Sequence, residues 1–349
     1  MRVEADHELL RYSGRIDFED PKAPVFVYAG SYVKIKFTGK SISVGIANRR
    51  SYATNYVGYI LDGKQGKFAL AQDAKVHSYA LGKGLSDGEH ELLLFKRMDA
   101  CHYFVFHGFE LARDAGLLFF PEIFRRRMEV FGDSVSCGEV SEAVDCVGKP
   151  DPMHDGEFSN SWYSYSWIAA RRLKAELHIT SQGGAALLDG TGWFHAPDYI
   201  GMESIYDKLQ YHPQLGPVKQ WDFSRWQPHV AVVAIGQNDA NPRNYMAEEP
   251  DGEAAQNWKR RYEAFVRELT ERYPKAHFVL ATTVLMHDEA WDRAIREVCE
   301  KIDSLRVHHF LYSQNGRGTP GHIRIPEAEK MAEELGGYIE SLGNIWEEY

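Results

Sequence analysis

The chain is poor in the features that mark secreted, membrane-spanning or nucleic-acid-binding proteins. Cysteine occurs four times in 349 residues, at Cys101, Cys137, Cys146 and Cys299, with no C-x-x-C pair. Scattered thiols fit a reduced, cytosolic setting better than a disulfide framework. No apolar run approaches the length needed to span a bilayer. The first residues, Met1 to Glu8, are largely charged and lead into no apolar core of signal-peptide type. Cationic excess is missing too: the net charge is −10, which argues against nucleic acid or an anionic membrane as main partner, because both require a basic face. Internal repeats, low-complexity tracts and the glycine spacing of a phosphate-binding loop are not found. The cytoplasm is the expected location, with neither nucleic acid nor membrane as a partner.

What remains is an ordinary globular composition, 44% hydrophobic and 26% charged, in a chain long enough for two domains. The two halves differ in period. From about Arg11 to Leu111, apolar and polar residues alternate: Val33, Ile35 and Phe37 with Lys34 and Lys36, and Ile42, Val44 and Ile46 with Ser41, Ser43 and Gly45. A period of two means one buried and one wet face, as in antiparallel sheets. Asp62-Gly63 lies between Tyr56–Leu61 and Lys67–Leu70, and Asp87-Gly88 precedes Glu89–Phe95; both are hairpin-turn chemistry. Short strands at this spacing suggest a sandwich or jelly roll.

From Met128 the pattern becomes strand and helix in alternation. Apolar strands are expected at Met128–Phe131, Leu177–Thr180, Val230–Ile235, Phe278–Thr282 and Val307–Leu311, and helices at Ser161–Ala175, Ala254–Tyr273, Glu289–Ile302 and Pro326–Leu342. This alternation implies a parallel sheet covered by helices on both faces, and the unbroken apolar run from Val230 to Ile235 suits a central strand. The boundary between halves is expected near residues 112–126.

Three of these strand ends, and the loop before the last helix, carry chemistry-bearing residues. Gly132-Asp133-Ser134 puts a hydroxyl on the tight turn leaving the first strand, at the sheet edge where α/β proteins place ligands. Ser134 is either a helix cap or a nucleophile. Gly236-Gln237-Asn238-Asp239 leaves the central strand; the Asn238 amide can donate to an oxyanion, although Asn and Asp are also plain turn residues. Ser181-Gln182-Gly183-Gly184 could offer a backbone N–H for the same purpose. His322 stands on a loop before the last helix, where an imidazole can act as base and then acid. The chain holds 15 histidines, so it is the order Ser, Gly, Asn, His along the chain that singles this one out. His308-His309 is no metal pair, since adjacent strand residues face opposite ways.

Read together, these blocks resemble an SGNH (GDSL-type) hydrolase, and more narrowly carbohydrate esterase family 2. Arg126 to Ser134 is similar to its nucleophile block, Ser181–Gly184 to its glycine block, Gly236–Asp239 to its asparagine block, and Gly321-His322 with the helix through Leu335 to its histidine block. Phe95–Ala100 and Phe106–Leu111 resemble the end of its first domain. The resemblance implies an all-β jelly-roll or sandwich domain over residues 1–120. It is followed by an α/β three-layer SGNH hydrolase domain with a parallel sheet over residues 121–349. It implies a serine esterase that removes O-acetyl groups from hemicellulose-derived xylan or mannan oligosaccharides through an acetyl-serine, with Ser134 and His322 catalytic. The oxyanion would be held by the Ser134 N–H, the Gly184 N–H and the Asn238 side chain. The expected partner is an acetylated oligosaccharide, and no metal or organic cofactor is required.

One departure matters. Most SGNH enzymes carry an aspartate three residues before the histidine, where this chain has Thr319. A Ser134–His322 dyad is therefore expected, with a backbone carbonyl of Thr319 or Pro320 orienting the ring. Ile323 also stands where proline is usual. Trp193 and Trp291 are candidates for stacking on sugar, each weighed against plain packing. Two other readings stay open: an SGNH lipase or thioesterase acting on other acyl esters, and an inert carbohydrate-binding protein, for which the missing aspartate is the best argument.

Overall fold

The computed structural model describes residues 1–99, 102–120, 124–195 and 198–347. Cys101 and the expected boundary between residues 120 and 121 lie outside them. The first half is a sandwich of two six-stranded antiparallel sheets. The alternating segments behave as their period requires: Val33, Ile35 and Phe37 are buried while Lys34 and Lys36 between them are half-exposed. They meet Ile42, Val44 and Ile46 of the facing sheet, together with Phe104 and Phe106, in one apolar core. Asp62 and Gly63 both take positive φ, 50° and 77°, and join Tyr56–Leu61 directly to Lys64–Ala69, so the second strand starts three residues earlier than its apolar pattern suggests.

Asp87-Gly88 is not a hairpin turn. The strand before it, Val76–Lys83, pairs with Ser41–Arg50 in one sheet, while Glu89–Lys96 pairs with Tyr32–Thr38 in the other. The glycine (φ 135°) serves a crossing between layers, and turn chemistry alone cannot tell a hairpin from an arch. The last sandwich strand is Leu117–Leu118, paired with Phe37 and Lys36.

The second half is built on five parallel strands: β1 (Arg126–Gly132), β2 (Ala175–Ser181), β3 (Val230–Ala234), β4 (His277–Ala281) and β5 (Val307–His309), in the order β2-β1-β3-β4-β5. Five helices matter here: α1 (Ser134–Cys137), α2 (Tyr165–Arg172), α3 (Glu253–Arg272), α4 (Glu289–Ile302) and α5 (Ile325–Ser341). Val232 of β3 shares one apolar core with Ile168 of α2 and Met331 and Leu335 of α5, whereas Val233 belongs to another with Phe265 of α3 and Ile295 of α4. A strand covered on both faces cannot alternate, which is why 230–234 is apolar throughout.

The stretch expected as one helix from Ser161 to Ala175 is shorter. Ser164 accepts a hydrogen bond from the Trp167 N–H at 3.2 Å and caps α2 there; the preceding turn, Ser161–Tyr163, is 3₁₀. Lys174, at φ 53°, ends it before Ala175 opens β2. Likewise β5 stops at His309, with Leu311 half-exposed. The halves are joined by a buried ion pair: Arg15 from the sandwich meets Glu129 of β1 at 2.9 Å with both side chains fully buried, and Thr180 and Tyr273 also donate to that carboxylate at 2.6 Å. Among the described residues no helix is long and apolar enough to cross a membrane.

Candidate active site

In a sheet ordered 2-1-3-4-5 the chain winds away in opposite directions from β1 and β3, and the crevice outside their carboxyl ends is where ligands bind. Ser134 follows β1 and Asn238 follows β3. Asp133 caps α1 by accepting from the Val135 N–H at 3.0 Å, so the cap role is filled by its neighbour and the Ser134 hydroxyl is left for other work. Ser134 Oγ lies 2.7 Å from His322 Nε2, 188 residues away in sequence.

The ring's other nitrogen corrects the sequence expectation. His322 Nδ1 donates to Asp151 Oδ2 at 2.6 Å, and the His322 backbone N–H donates to Asp151 Oδ1 at 2.8 Å. The Thr319 carbonyl is taken by the Met286 N–H at 2.9 Å, so neither it nor Pro320 orients the ring. A carboxylate only accepts, which puts the imidazole proton on Nδ1 and leaves the Nε2 lone pair for the serine hydroxyl. Asp151 is fixed by Arg324, whose buried guanidinium approaches Oδ1 at 2.9 Å. Burial opposes ionisation of Asp151, but hydrogen bonds from His154 and His322 outweigh it and hold the carboxyl far below the usual range. Burial also pulls the His322 pKa down; its bond to Asp151 and the charges of Glu139 and Asp151 reverse that and leave it above 6.5.

A second imidazole sits beside this triad. His154 donates to Glu139 Oε1 at 2.5 Å and to Asp151 Oδ2 at 3.2 Å. These two bonds push its pKa up to about 10, so it is a cation at neutral pH. Its ring centre is 5.3 Å from that of His322, where a positive charge disfavours protonation of the base. His154→Gln is expected to move the acid limb of the kcat/KM profile to higher pH. It removes a neighbouring cation and frees Asp151 for His322 alone, and a pH profile of ester hydrolysis checks the direction. Asp151, His154 and His322 offer ligand atoms within 4.8 Å of one another. Their hydrogen bonds already account for those atoms, and a cation bound there would compete with Ser134 for Nε2.

The oxyanion candidates converge on the same cavity, of about 540 Å³, lined by Ser134, His322, Gly184 and Asn238. The Ser134 N–H opens α1 and so has no acceptor within the helix. Gly184 takes φ 75°, and a Cβ there would stand 2.9 Å from Trp193 Cβ and 3.0 Å from Phe194 N, so the close backbone approach needs glycine. Asn238 Nδ2 donates to the Ala185 carbonyl at 3.0 Å and to Asp133 Oδ2 at 3.2 Å; the longer bond is the one an oxyanion can take over. Asp133 is fully buried, and burial lifts its pKa to about 6 against the donors Val135 and Gln237.

Trp193 lines the cavity and is 68% exposed. Trp291 does not: it is buried in the core against Trp258 and Tyr245, with Nε1 donating to Asn244 Oδ1 at 3.0 Å. At helical spacing on α4 its position is packing, and the sugar-stacking role expected for it falls away. His308 pairs instead with His277, Nε2 to Nδ1, at 3.0 Å. The sandwich contributes one wall of the cavity through Tyr52 and Asp99, and Asp99 Oδ2 accepts from the Gly183 N–H at 3.1 Å.

Sequence reasoning missed Asp151, His154 and Glu139. Two signals were present. Asp151-Pro-Met-His154 carries a D-x-x-H spacing in a loop, and Arg324, two residues past the base, reads as a cation in need of a buried carboxylate.

A family model described as carbohydrate esterase 2 N-terminal matches residues 12–121. The chain is 28% identical over 347 residues to the cellulase/esterase CelE of Acetivibrio thermocellus, covering 96% of this chain but 40% of that protein. It is 24% identical to an acetylxylan esterase / glucomannan deacetylase of Cellvibrio japonicus, over 95% of this chain and 88% of the other. Among solved structures, a family two carbohydrate esterase from Clostridium thermocellum in complex with cellohexaose superposes with a TM-score of 0.79 at 27% identity, over 95% of this chain and 98% of that one. A family two carbohydrate esterase from Cellvibrio japonicus shares the fold at 22% identity, with a TM-score of 0.80 and 99% of both chains covered. The matched first domain, two relatives aligned over nearly the whole chain, and a serine and histidine meeting at the sheet edge make this chain similar to the family 2 carbohydrate esterases in both of its halves.

Proposed function

We propose that the protein is a serine esterase that removes O-acetyl groups from hemicellulose-derived xylan or mannan oligosaccharides. The observation that carries this is the line Ser134 Oγ–His322–Asp151, with contacts of 2.7 and 2.6 Å, at the floor of a cavity walled by both domains. Ser134 Oγ attacks the acetyl carbonyl carbon as its proton passes to His322 Nε2. The imidazolium is held by Asp151. Backbone donors of Ser134 and Gly184, with Asn238, face the developing oxyanion. His322 then returns the proton to the departing sugar oxygen. Water, deprotonated by the same nitrogen, attacks the acetyl-serine carbonyl, and acetate leaves as Ser134 recovers its proton.

The relatives' printed activities, a cellulase/esterase and an acetylxylan esterase / glucomannan deacetylase, support a sugar ester as substrate. The argument for an inert binder was the missing aspartate, and Asp151 removes it. A lipase or thioesterase is disfavoured by the ionisable groups set into the lining, Asp99, Glu139 and His154, beside which a long acyl chain would have to lie. Acetate release from a panel of acetylated xylo- and manno-oligosaccharides, beside acetyl and octanoyl p-nitrophenyl esters, tests the proposal. A preference for octanoyl over acetyl would overturn it.

Trp193 presents an exposed ring at the cavity rim, the position from which an indole can stack on a sugar face. Trp193→Ala is expected to raise KM for acetylated oligosaccharides about two- to tenfold, a ring contact being worth roughly 0.5–1.5 kcal/mol, while kcat/KM for p-nitrophenyl acetate stays near that of the parent. We also propose a cytoplasmic enzyme acting on imported oligosaccharides, supported by Cys137, Cys146 and Cys299 being free thiols.

A further inference from the structure

A second cavity, of about 820 Å³, is larger than that of the active site and separate from it. It lies between the sandwich and the amino ends of β1 and β2, where Arg126 and Ala175 open the strands. A seven-residue strand separates it from Ser134, on the order of 20 Å. Its lining is at odds with the rest of the molecule. In a chain of net charge −10, the cavity gathers Lys34, Arg125, Arg126, Arg171, Arg172 and Lys174 against two carboxylates, Glu176 and Glu340. One of those carboxylates, Glu176, is engaged by the Trp226 indole at 3.0 Å.

Beside the cations stands an aromatic wall. Tyr32 and Trp167 stack with centroids 6.0 Å apart, and Trp162 meets Trp167 edge-on at 4.9 Å. The Arg171 guanidinium lies 3.9 Å from the Trp162 ring centre and donates to the Trp162 carbonyl at 2.8 Å. No carboxylate of the described residues pairs with Arg171, Arg172 or Lys174. Burial lowers the Arg171 pKa to about 10, the expected cost of a guanidinium drawn from water without a counter-charge. Like charges crowded into one concavity repel each other and focus a positive potential there, and an anion entering it relieves both.

We propose that this groove is a second binding site, for a multiply charged anion that carries a flat ring. The charges engage Arg171, Arg172 and Lys174, and the ring packs against Trp162 and Tyr32. Cavities of this volume hold small ligands rather than protein segments. A phosphorylated ring compound of the nucleotide kind has this chemistry; a uronate-bearing oligosaccharide, with puckered rings and one charge per uronate, shares only the charge and serves as the contrasting probe.

The test is titration of tryptophan fluorescence, and in parallel calorimetry, in low and in 0.5 M salt. The probes are ATP, inorganic pyrophosphate, a glucuronate-substituted xylo-oligosaccharide and neutral xylotriose. Saturable binding by ATP, weaker in high salt and weaker still for pyrophosphate, which has the charge without the ring, is the expected result; tighter binding of the glucuronate compound than of ATP would overturn the flat-ring assignment. Xylotriose should give no saturable signal. The variant is Arg172→Gln with Lys174→Asn, two exposed positions; asparagine tolerates the positive φ at residue 174. It should weaken anion binding at least tenfold and leave hydrolysis of p-nitrophenyl acetate unchanged. Failure of every anion to bind saturably, or binding that the double variant leaves intact, overturns the proposal.

Discussion

Replacing Ser134 by alanine should abolish acetate release, by about a million-fold in kcat, the scale of loss when the nucleophile of a Ser-His-Asp unit is removed. The hydroxyl stands at the cavity floor, at the end of β1 and 2.7 Å from an imidazole nitrogen. The fold should survive. Ser134 is a small buried residue whose helix is capped by Asp133 rather than by itself, so thermal unfolding should shift little. The parent should be labelled stoichiometrically by a fluorophosphonate and the variant not at all. A folded Ser134→Ala protein that still releases acetate at the parental rate would sink the nucleophile assignment.

Asp151→Asn comes next in size. Loss of the carboxylate frees the imidazole to adopt the wrong tautomer and leaves the imidazolium without its counter-charge, an effect of about 10⁴ in kcat. The acid limb of the pH profile adds a sign. His322 must be neutral to act as base, and its pKa in the parent lies above 6.5 in part because of Asp151. Activity of the parent should therefore fall off below neutrality, and in the variant the limb should move to lower pH. Stability will fall as well, since Arg324 is fully buried and Asp151 is the carboxylate it meets. Breaking a buried pair costs about 3–5 kcal/mol, less where one partner keeps some exposure, as Asp151 does. Turnover measured well below the unfolding midpoint separates the two effects. A folded variant within tenfold of parental kcat would show that Asp151 merely braces Arg324.

How far the residues announce their roles depends on the range of the interaction. The alternation through Val33–Phe37 and Ile42–Ile46, the unbroken apolar run of β3, and helix Glu289–Ile302 were legible because side-chain direction repeats every two or 3.6 residues, whatever lies beyond. Ser134, Gly184 and Asn238 were legible for a related reason: each leaves a parallel strand at its carboxyl end, and parallel strands bring those ends to one edge. The same local logic misled at Asp87-Gly88, where a glycine turn joins two sheets rather than two neighbours, and at Trp291, whose ring a helix turns into the core while Trp193 on a loop stays in solvent.

The sequence by itself thus determined the two layered architectures and the edge at which a hydroxyl and an imidazole would meet, because both follow from periodicity along the backbone. Only the tertiary structure decided that Asp151, 171 residues from His322, completes the triad, that His154 adds a cation beside it, and that Tyr52 and Asp99 of the sandwich wall the cavity. Which carboxylate reaches an imidazole is set by the path of an irregular loop and by the buried Arg324 that pins it, and no local period encodes that path.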